Sequence, residues 1–332
     1  MIMNNKELLM LNKIKSVMIG HAIGDALGVP VEFASREEIA ENPVTNMEGF
    51  GTYPYPAGTW SDDTSMSLAA LDSLVSGEIK WDEIMSNFGK WLDNGEYTPS
   101  GEAFDVGRTC LNAIISYFTK GTKATESGGT DEHFNGNGSL MRIHPFALYE
   151  YIKGTCELEV IHNASSLTHA HERSKIACGI YTFVLWELLK KPSKGSIRRG
   201  LNKARIFYRT NPENTKYDNL YRRIGLIGLQ FEDDPLTFHR FNREDIKSSG
   251  YVVDSLEAAI WCLLNTRSYK ECVLMAVNLG DDTDTVAAIA GGLAGALYGY
   301  DAIPQEWRDT LIKREYIEEM CERACASWEK LK

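Results

Sequence analysis

Residues 281–296 read Asp281-Asp282-Thr283-Asp284-Thr285-Val286-Ala287-Ala288-Ile289-Ala290-Gly291-Gly292-Leu293-Ala294-Gly295-Ala296. The segment from Val286 onward is uncharged and apolar, and its three glycines cost helix propensity that only close backbone packing recovers. It is predicted as a buried central helix. Its acidic start then lies at one end of a helical bundle, where a rigid helix terminus suits a ligand site. A tightly packed core helix without functional meaning is compatible with the same residues.

Helical spacing recurs outward from this stretch. Leu256, Ala259, Ile260, Leu263 and Leu264 repeat at i, i+3, i+4, as do Ile176, Ile180, Phe183, Val184 and Leu188. Further helices are expected over Asn5–Leu27, Thr64–Ser76, Trp81–Leu92, Phe104–Phe118, Leu140–Tyr151, Glu157–Leu167, Ile197–Tyr208, Ser268–Asn278, Thr285–Tyr298 and Glu306–Lys330. No alternating run reads as a strand of comparable strength, so the predicted class is all-α. No Gly/Ser-rich or Pro-rich linker and no solenoid period divides the chain, which predicts one compact orthogonal helical domain over residues 1–332. The longest irregular stretches, Ala34–Gly58, Lys120–Gly138 and Phe231–Tyr251, are of a length usually functional or mobile.

Composition narrows the function classes. With 35 Lys plus Arg against 46 Asp plus Glu, the net charge of −11 argues against nucleic acid or an anionic membrane as partner, since both need a basic face. No window approaches the roughly 18 apolar residues of a membrane helix. The first twenty residues break each apolar run with Lys or Asn and read as an amphipathic helix rather than a signal peptide, which predicts a cytoplasmic protein. The seven cysteines, odd in number and scattered, make neither a disulfide framework nor a CxxC pair and are expected as reduced core thiols.

Two acidic blocks carry the chemistry: Ser61-Asp62-Asp63-Thr64 and Asp281-Asp282-Thr283-Asp284-Thr285, each ahead of an amphipathic helix. Asp, Ser and Thr are preferred helix N-caps, so one such block is ordinary. Capping needs a single oxygen, however, and three carboxylates within four residues repel one another unless a cation is present. Carboxylates and hydroxyls converging from separate segments are the donors that Mg²⁺ or Mn²⁺ prefer.

The remaining polar motifs leave alternatives open. Asp25, within Gly20-His21-Ala22-Ile23-Gly24-Asp25-Ala26-Leu27-Gly28, reads as a capping or supporting carboxylate, while Glu32 is either solvated or aimed into a cleft. Gly136-Asn137-Gly138-Ser139, ahead of a helix expected near Leu140, is either an ordinary turn or a site where freed backbone N–H groups meet a phosphate. His169 and His171 are a poor zinc pair and read as a polar loop or substrate contact. Asp105, in Phe104-Asp105-Val106-Gly107-Arg108, reads by itself as a helix-start carboxylate.

Taken in order, GHAIGDALGVPVEF from Gly20, GTWSDDTSMSL from Gly58, FDVGRT from Phe104, GNGSLMRIHPFAL from Gly136 and NLGDDTDTVAAIAGGLAGALYG from Asn278 resemble the ADP-ribosylglycohydrolase family, with weaker THAHERS and SGYVVDSLEAAIW matches from Thr168 and Ser249. The resemblance implies an all-α fold and two Mg²⁺ or Mn²⁺ ions. By position it implies Ser61, Asp62, Asp63, Asp282, Asp284 and Thr285 as metal ligands; the family's usual Thr is Ser61 here, which keeps the hydroxyl. It further implies Glu32, Asp63 and Asp105 as catalytic, with Asp105 beside the ribose. The loop Gly136, Asn137, Gly138 and Ser139 falls at the diphosphate, His169 near the ribose and Tyr251 on the adenine.

The activity so implied is hydrolysis of the N-glycosidic bond of ADP-ribosylated arginine, in a protein or a small ADP-ribosyl conjugate. The alternatives are cleavage of an O-linked serine or another conjugate, and a catalytically silent ADP-ribose-binding relative. An Mg-dependent isoprenoid or diphosphate enzyme is disfavoured, because Asp62-Asp63 runs on through Thr64, Ser65 and Met66 without the DDxxD spacing.

Overall fold

The computed structural model describes residues 4–210, 221 and 241–331. Among the described residues there are fourteen α-helices and no strand, only isolated bridges pairing Gly129 with His169 and Gly136 with Tyr251. The all-α expectation is met. No helix among these residues is long and apolar enough to cross a membrane. All seven cysteines are free and all but Cys156 are buried.

Two helices form the centre. Helix α1, Asn5–Gly28, opens on a capping box between Asn4 and Glu7 and is buried all round from Ser16 to Gly28. The other is the helix expected from the apolar stretch, Thr283–Tyr298 (α12), buried without interruption from Thr283 to Gly295. Helices buried on every side need no polar face. They need small residues where their backbones meet, and the glycines supply them: a Cβ at Gly24 would fall 2.1 Å from the Ala287 carbonyl oxygen, and one at Gly28 would fall 2.3 Å from Asp284 Cα. Tyr269 Oη donates to the Gly20 carbonyl at 2.6 Å and His21 Nδ1 lies 3.1 Å from the Ala288 carbonyl, two polar contacts that cross this seam.

Around the pair pack α3 (Asp62–Leu74), α6 (His144–Lys153), α8 (Glu172–Lys190), α10 (Val252–Asn265), α11 (Tyr269–Val277) and α14 (Arg314–Trp328). An outer set consists of α4 (Trp81–Asn94) on α3, α5 (Arg108–Lys120) on α4, and α7 (Leu158–Ser166) and α9 (Lys194–Arg209) on α8.

Four expectations need correction. The helix expected from Phe104 begins at Arg108, because Asp105 adopts a left-handed φ of 54° and the chain turns before Gly107 caps the helix. The helix expected from Leu140 begins at His144, with Pro145 in its first turn. The single C-terminal helix is two, α13 (Gln305–Thr310) and α14, since Lys313 is left-handed at φ 51°; the break lets Ile312 N–H donate to the Gly58 carbonyl at 3.0 Å. Inside the stretch 34–58, a short helix α2 (Arg36–Glu41) forms behind a Ser35–Glu38 capping box. The irregular stretch expected over 231–251 lies partly outside the described residues.

Candidate active site

The two acidic blocks sit at helix starts and touch. Ser61 caps α3 and, with Asp62 and Asp63, is buried. The first turn of α3 is held by α1: Asp25 Oδ1 accepts from Ser61 N–H at 2.8 Å, and Asp25 Oδ2 accepts from Thr64 N–H and Oγ1 at 3.0 and 2.6 Å. A carboxylate of α1 thus satisfies the orphan donors of another helix, the supporting role read for Asp25. Asp282 caps α12, whose first turn carries Asp284 and Thr285. Thr285 Oγ1 donates to Asp63 Oδ2 at 3.1 Å, and Ser61 Oγ donates to the same oxygen at 3.3 Å.

Two further carboxylates arrive from loops. Glu32 follows the short turn Val29–Val31 at the end of α1 and is buried, while Asp105 is half-buried. Oxygens of Glu32, Asp105 and Asp284 all lie within 4.8 Å of one another. Glu32 Oε2, Asp63 Oδ1 and Asp284 Oδ2 are buried without a hydrogen-bond partner. Buried polar atoms are rarely left so. Orphaned carboxylate oxygens beside Ser and Thr hydroxyls are a donor set that fits hard divalent cations.

The charges agree with this geometry. Burial, then the neighbouring Asp105 carboxylate, push the Glu32 carboxyl up to about 9. Burial likewise holds Asp62, Asp63 and Asp284 well above the usual carboxylate range, with neighbouring carboxylates adding to each. Asp105 and Asp282 are also raised, chiefly by burial, and Asp25 reaches about 6 for the same reason despite its hydrogen bonds. A cation in the cluster would reverse these shifts, because it favours the ionised form of every group. Asp281 stands apart from the cluster. It is exposed, with a left-handed φ of 61°, and its backbone pairs with Ala34 and Phe33. The repulsion expected within the second block remains between Asp282 and Asp284, and Glu32, Asp105 and Asp63 add to it from the loops and the first block.

The loop of Gly136, Asn137, Gly138 and Ser139 packs against the second block. Asn137 Nδ2 donates to Asp282 Oδ2 at 2.8 Å and to Ser255 Oγ at 3.0 Å, and Asn137 N–H donates to the Gly250 carbonyl. Tyr251, half-buried at the start of α10, bridges to Gly136. Buried His169 lies at Gly138, where a Cβ would fall 2.9 Å from its Cε1. Ser139 differs from its neighbours, its hydroxyl pairing with Ser165 and Cys178 in the core. Since α6 starts only at His144, these glycines do not stand at a helix N-terminus, and any anion they meet would be held by loop N–H groups. His171 caps α8 through Arg173 N–H.

Two residues escaped the sequence reading. Tyr53 Oη donates to Asp105 Oδ1 at 3.1 Å from a loop without periodicity. Arg142, 1% exposed, donates to the Gly138 carbonyl and to Thr168 Oγ1, and lies 5.1 Å over the Phe88 ring. Thr168 Oγ1 in turn lies 2.7 Å from His169 Nδ1, so one buried guanidinium ties the glycine loop to the His169 segment. The signal for Arg142 was a lone charge inside the apolar run Leu140–Leu148.

Comparison with known proteins bears on this arrangement. The chain is 33% identical over 314 residues to the ADP-ribosylarginine hydrolase Tri1 of Serratia proteamaculans, covering 94% of this chain and 79% of that protein. It is 31% identical over 304 residues to the ADP-ribosyl-[dinitrogen reductase] glycohydrolase of Rhodospirillum rubrum, covering 90% of each. A solved structure described as an ADP-ribosylglycohydrolase-related protein complex superposes with a TM-score of 0.77 at 28% identity, over 96% of this chain and 98% of that one. The ADP-ribosylglycohydrolase profile matches residues 6–331, and the chain belongs to that family.

Proposed function

We propose that the protein hydrolyses ADP-ribosylarginine with the help of two divalent cations, Mg²⁺ or Mn²⁺. The observation that carries this reading is the convergence of Glu32, Asp105 and Asp284 within 4.8 Å beside the two acidic helix starts, with buried carboxylate oxygens left unpaired. The arginine linkage is supported by the names of the relatives, and by a carboxylate-lined site that suits a guanidinium. Ser61, Asp62, Asp63, Asp282, Asp284 and Thr285 would hold the cations. When bound, such ions supply positive charge against which ribose hydroxyls and a water are ordered.

The chain's own residues account for the rest. Asp105 accepts hydrogen bonds from the ribose and keeps its ring in place. Asn137, fastened to Asp282, presents the backbone of Gly136 and Gly138 to the diphosphate, with His169 and Tyr251 along the same loop; Ser139 takes part through its backbone alone. As water attacks the anomeric carbon, the bond to the guanidinium nitrogen breaks through an oxocarbenium-like transition state. The bonding pair leaves with the nitrogen as neutral guanidine, and Glu32 takes the proton of the attacking water. Asp63 is a buried negative group of the same cluster that stabilises developing positive charge. Little general-acid help is needed, because the leaving group is already cationic, whereas a serine alkoxide requires a proton as the bond breaks.

Release of ADP-ribose from arginine-linked and serine-linked peptides at equal concentration, with and without Mg²⁺ or Mn²⁺, tests the proposal. Faster release from arginine that stops on chelation is expected. Faster serine release overturns the substrate, and full turnover after chelation overturns the role of the cations.

A further inference from the structure

A short loop, residues 50–56, braces the two carboxylates that do not come from helix starts. At one end, Gly51 lies so close to Pro30 that a Cβ would fall 1.7 Å from the Pro30 carbonyl oxygen. Thr52 N–H donates to that carbonyl at 2.8 Å, and Thr52 Oγ1 donates to the Glu32 carbonyl at 2.7 Å. At the other end, the rings of Tyr53 and Tyr55 pack on Phe104 with centroids 4.9 and 4.6 Å away. Phe50 N–H donates to the Tyr55 carbonyl at 2.7 Å and closes the loop. Between the two anchors, Tyr53 Oη donates to Asp105 Oδ1 at 3.1 Å and also interacts with the Glu32 carboxyl. Asp105 sits on left-handed backbone outside any helix, so no helix terminus orients its carboxylate.

We propose that Tyr53 is a positioning residue: its neutral hydroxyl holds the Asp105 and Glu32 carboxyls in their working arrangement beside Asp284, and loop 50–56 is the brace that places it. The inference rests on the hydrolase reading above. Two carboxyls this close repel when ionised, and a phenol that donates its one proton to Asp105 beside Glu32 reduces the repulsion without adding charge. Without it, Asp105 loses the hydrogen bond from Tyr53, and the orientation of its carboxylate and the charge pattern of the cluster change.

Tyr53→Phe keeps the ring on Phe104 and deletes only the hydroxyl. Calorimetric titration of metal-free protein with Mn²⁺ and steady-state release from the arginine-linked peptide provide the readouts, with Tyr55→Phe as a control expected to match wild type. Tyr53→Phe is expected to bind Mn²⁺ about ten-fold more weakly and to lose about ten-fold in kcat, the usual effect of removing a group that orients a ligand. KM should change less than about two-fold and Tm by no more than a few degrees. A folded Tyr53→Phe protein with unchanged kcat and unchanged Mn²⁺ affinity overturns the proposal, as does a lowered Tm with both values intact, which would leave only a packing role. If the wild type releases no ADP-ribose, the hydrolase reading fails, and the Mn²⁺ affinity of Tyr53→Phe alone then decides the positioning role.

Discussion

Asp284 shows how a single side chain can oppose stability while serving a site. It is fully buried, with Oδ1 accepting from Thr285 N–H at 2.8 Å and Oδ2 unpartnered among Glu32, Asp105 and Asp63. Replacing it by Asn removes one charge from that group and adds an N–H donor facing carboxylates. Metal-free Asp284→Asn protein is therefore expected to be more stable than wild type by about 1–2 kcal/mol at pH 8, a rise of a few degrees in a thermal melt. On the reading proposed above, the same substitution abolishes stabilisation by Mn²⁺ and the release of ADP-ribose. A melt showing lower stability without cation would mean that the cluster is not repulsive.

At the scale of elements, the pairing of α1 with α12 sets the site. Gly28 lies against Asp284, so the end of α1, with Glu32 just beyond it, is brought to the first turn of α12. Gly24 is the tightest of the α1 glycines in this pairing, with a Cβ position 2.1 Å from the Ala287 carbonyl and 2.9 Å from Ala288 N. Gly24→Ala would gain roughly 1 kcal/mol in an exposed helix. Here backbone meets backbone, and overpacking is expected to cost about 2–3 kcal/mol net. Urea unfolding decides the sign, and a stabilised Gly24→Ala protein would show that the helices can separate freely. Because the seam also spaces Glu32 from Asp284, the variant should lose Mn²⁺ affinity although it alters no ligand.

For the whole molecule, two sets of buried groups pull stability in opposite directions with pH. His21 and His169 are pushed down to about 3 and His162 to about 4 by burial, and His144 well below its ordinary value by burial and the nearby His21. The folded state binds fewer protons than the unfolded chain, whose histidines titrate near 6.5. Their contribution is complete above that pH and is lost as pH falls through about 4 to 3. The site carboxyls behave oppositely: raised to about 6 for Asp25 and about 9 for Glu32, they contribute fully below about pH 4 and lose that contribution as pH rises through the folded values. Metal-free protein should be most stable near pH 5–6.5 and weaken toward pH 9. Saturating Mn²⁺ should flatten the alkaline limb, so the increase in Tm on adding Mn²⁺ grows with pH. An increase independent of pH between 6 and 9 would contradict cation binding within this carboxyl cluster.

The sequence by itself determined the helical class, the buried helix, read over 285–298 and found over 283–298, and the acidic starts of α3 and α12, because each rests on local periodicity or on capping chemistry within a few residues. It also carried the support given by Asp25, since a carboxylate inside a buried helix must find donors. Only the tertiary structure decided which carboxylates share a cluster. Glu32 and Asp105 are 73 residues apart in the chain and reach Asp284 through a turn and a left-handed loop that no periodicity marks. It likewise separated Asp281 from Asp282, directed the Ser139 hydroxyl into the core and brought Tyr53 to Asp105. Local pattern records which face of an element is buried, whereas proximity between loops is set by how the elements between them pack, and that is fixed only when the backbones of α1 and α12 close on one another.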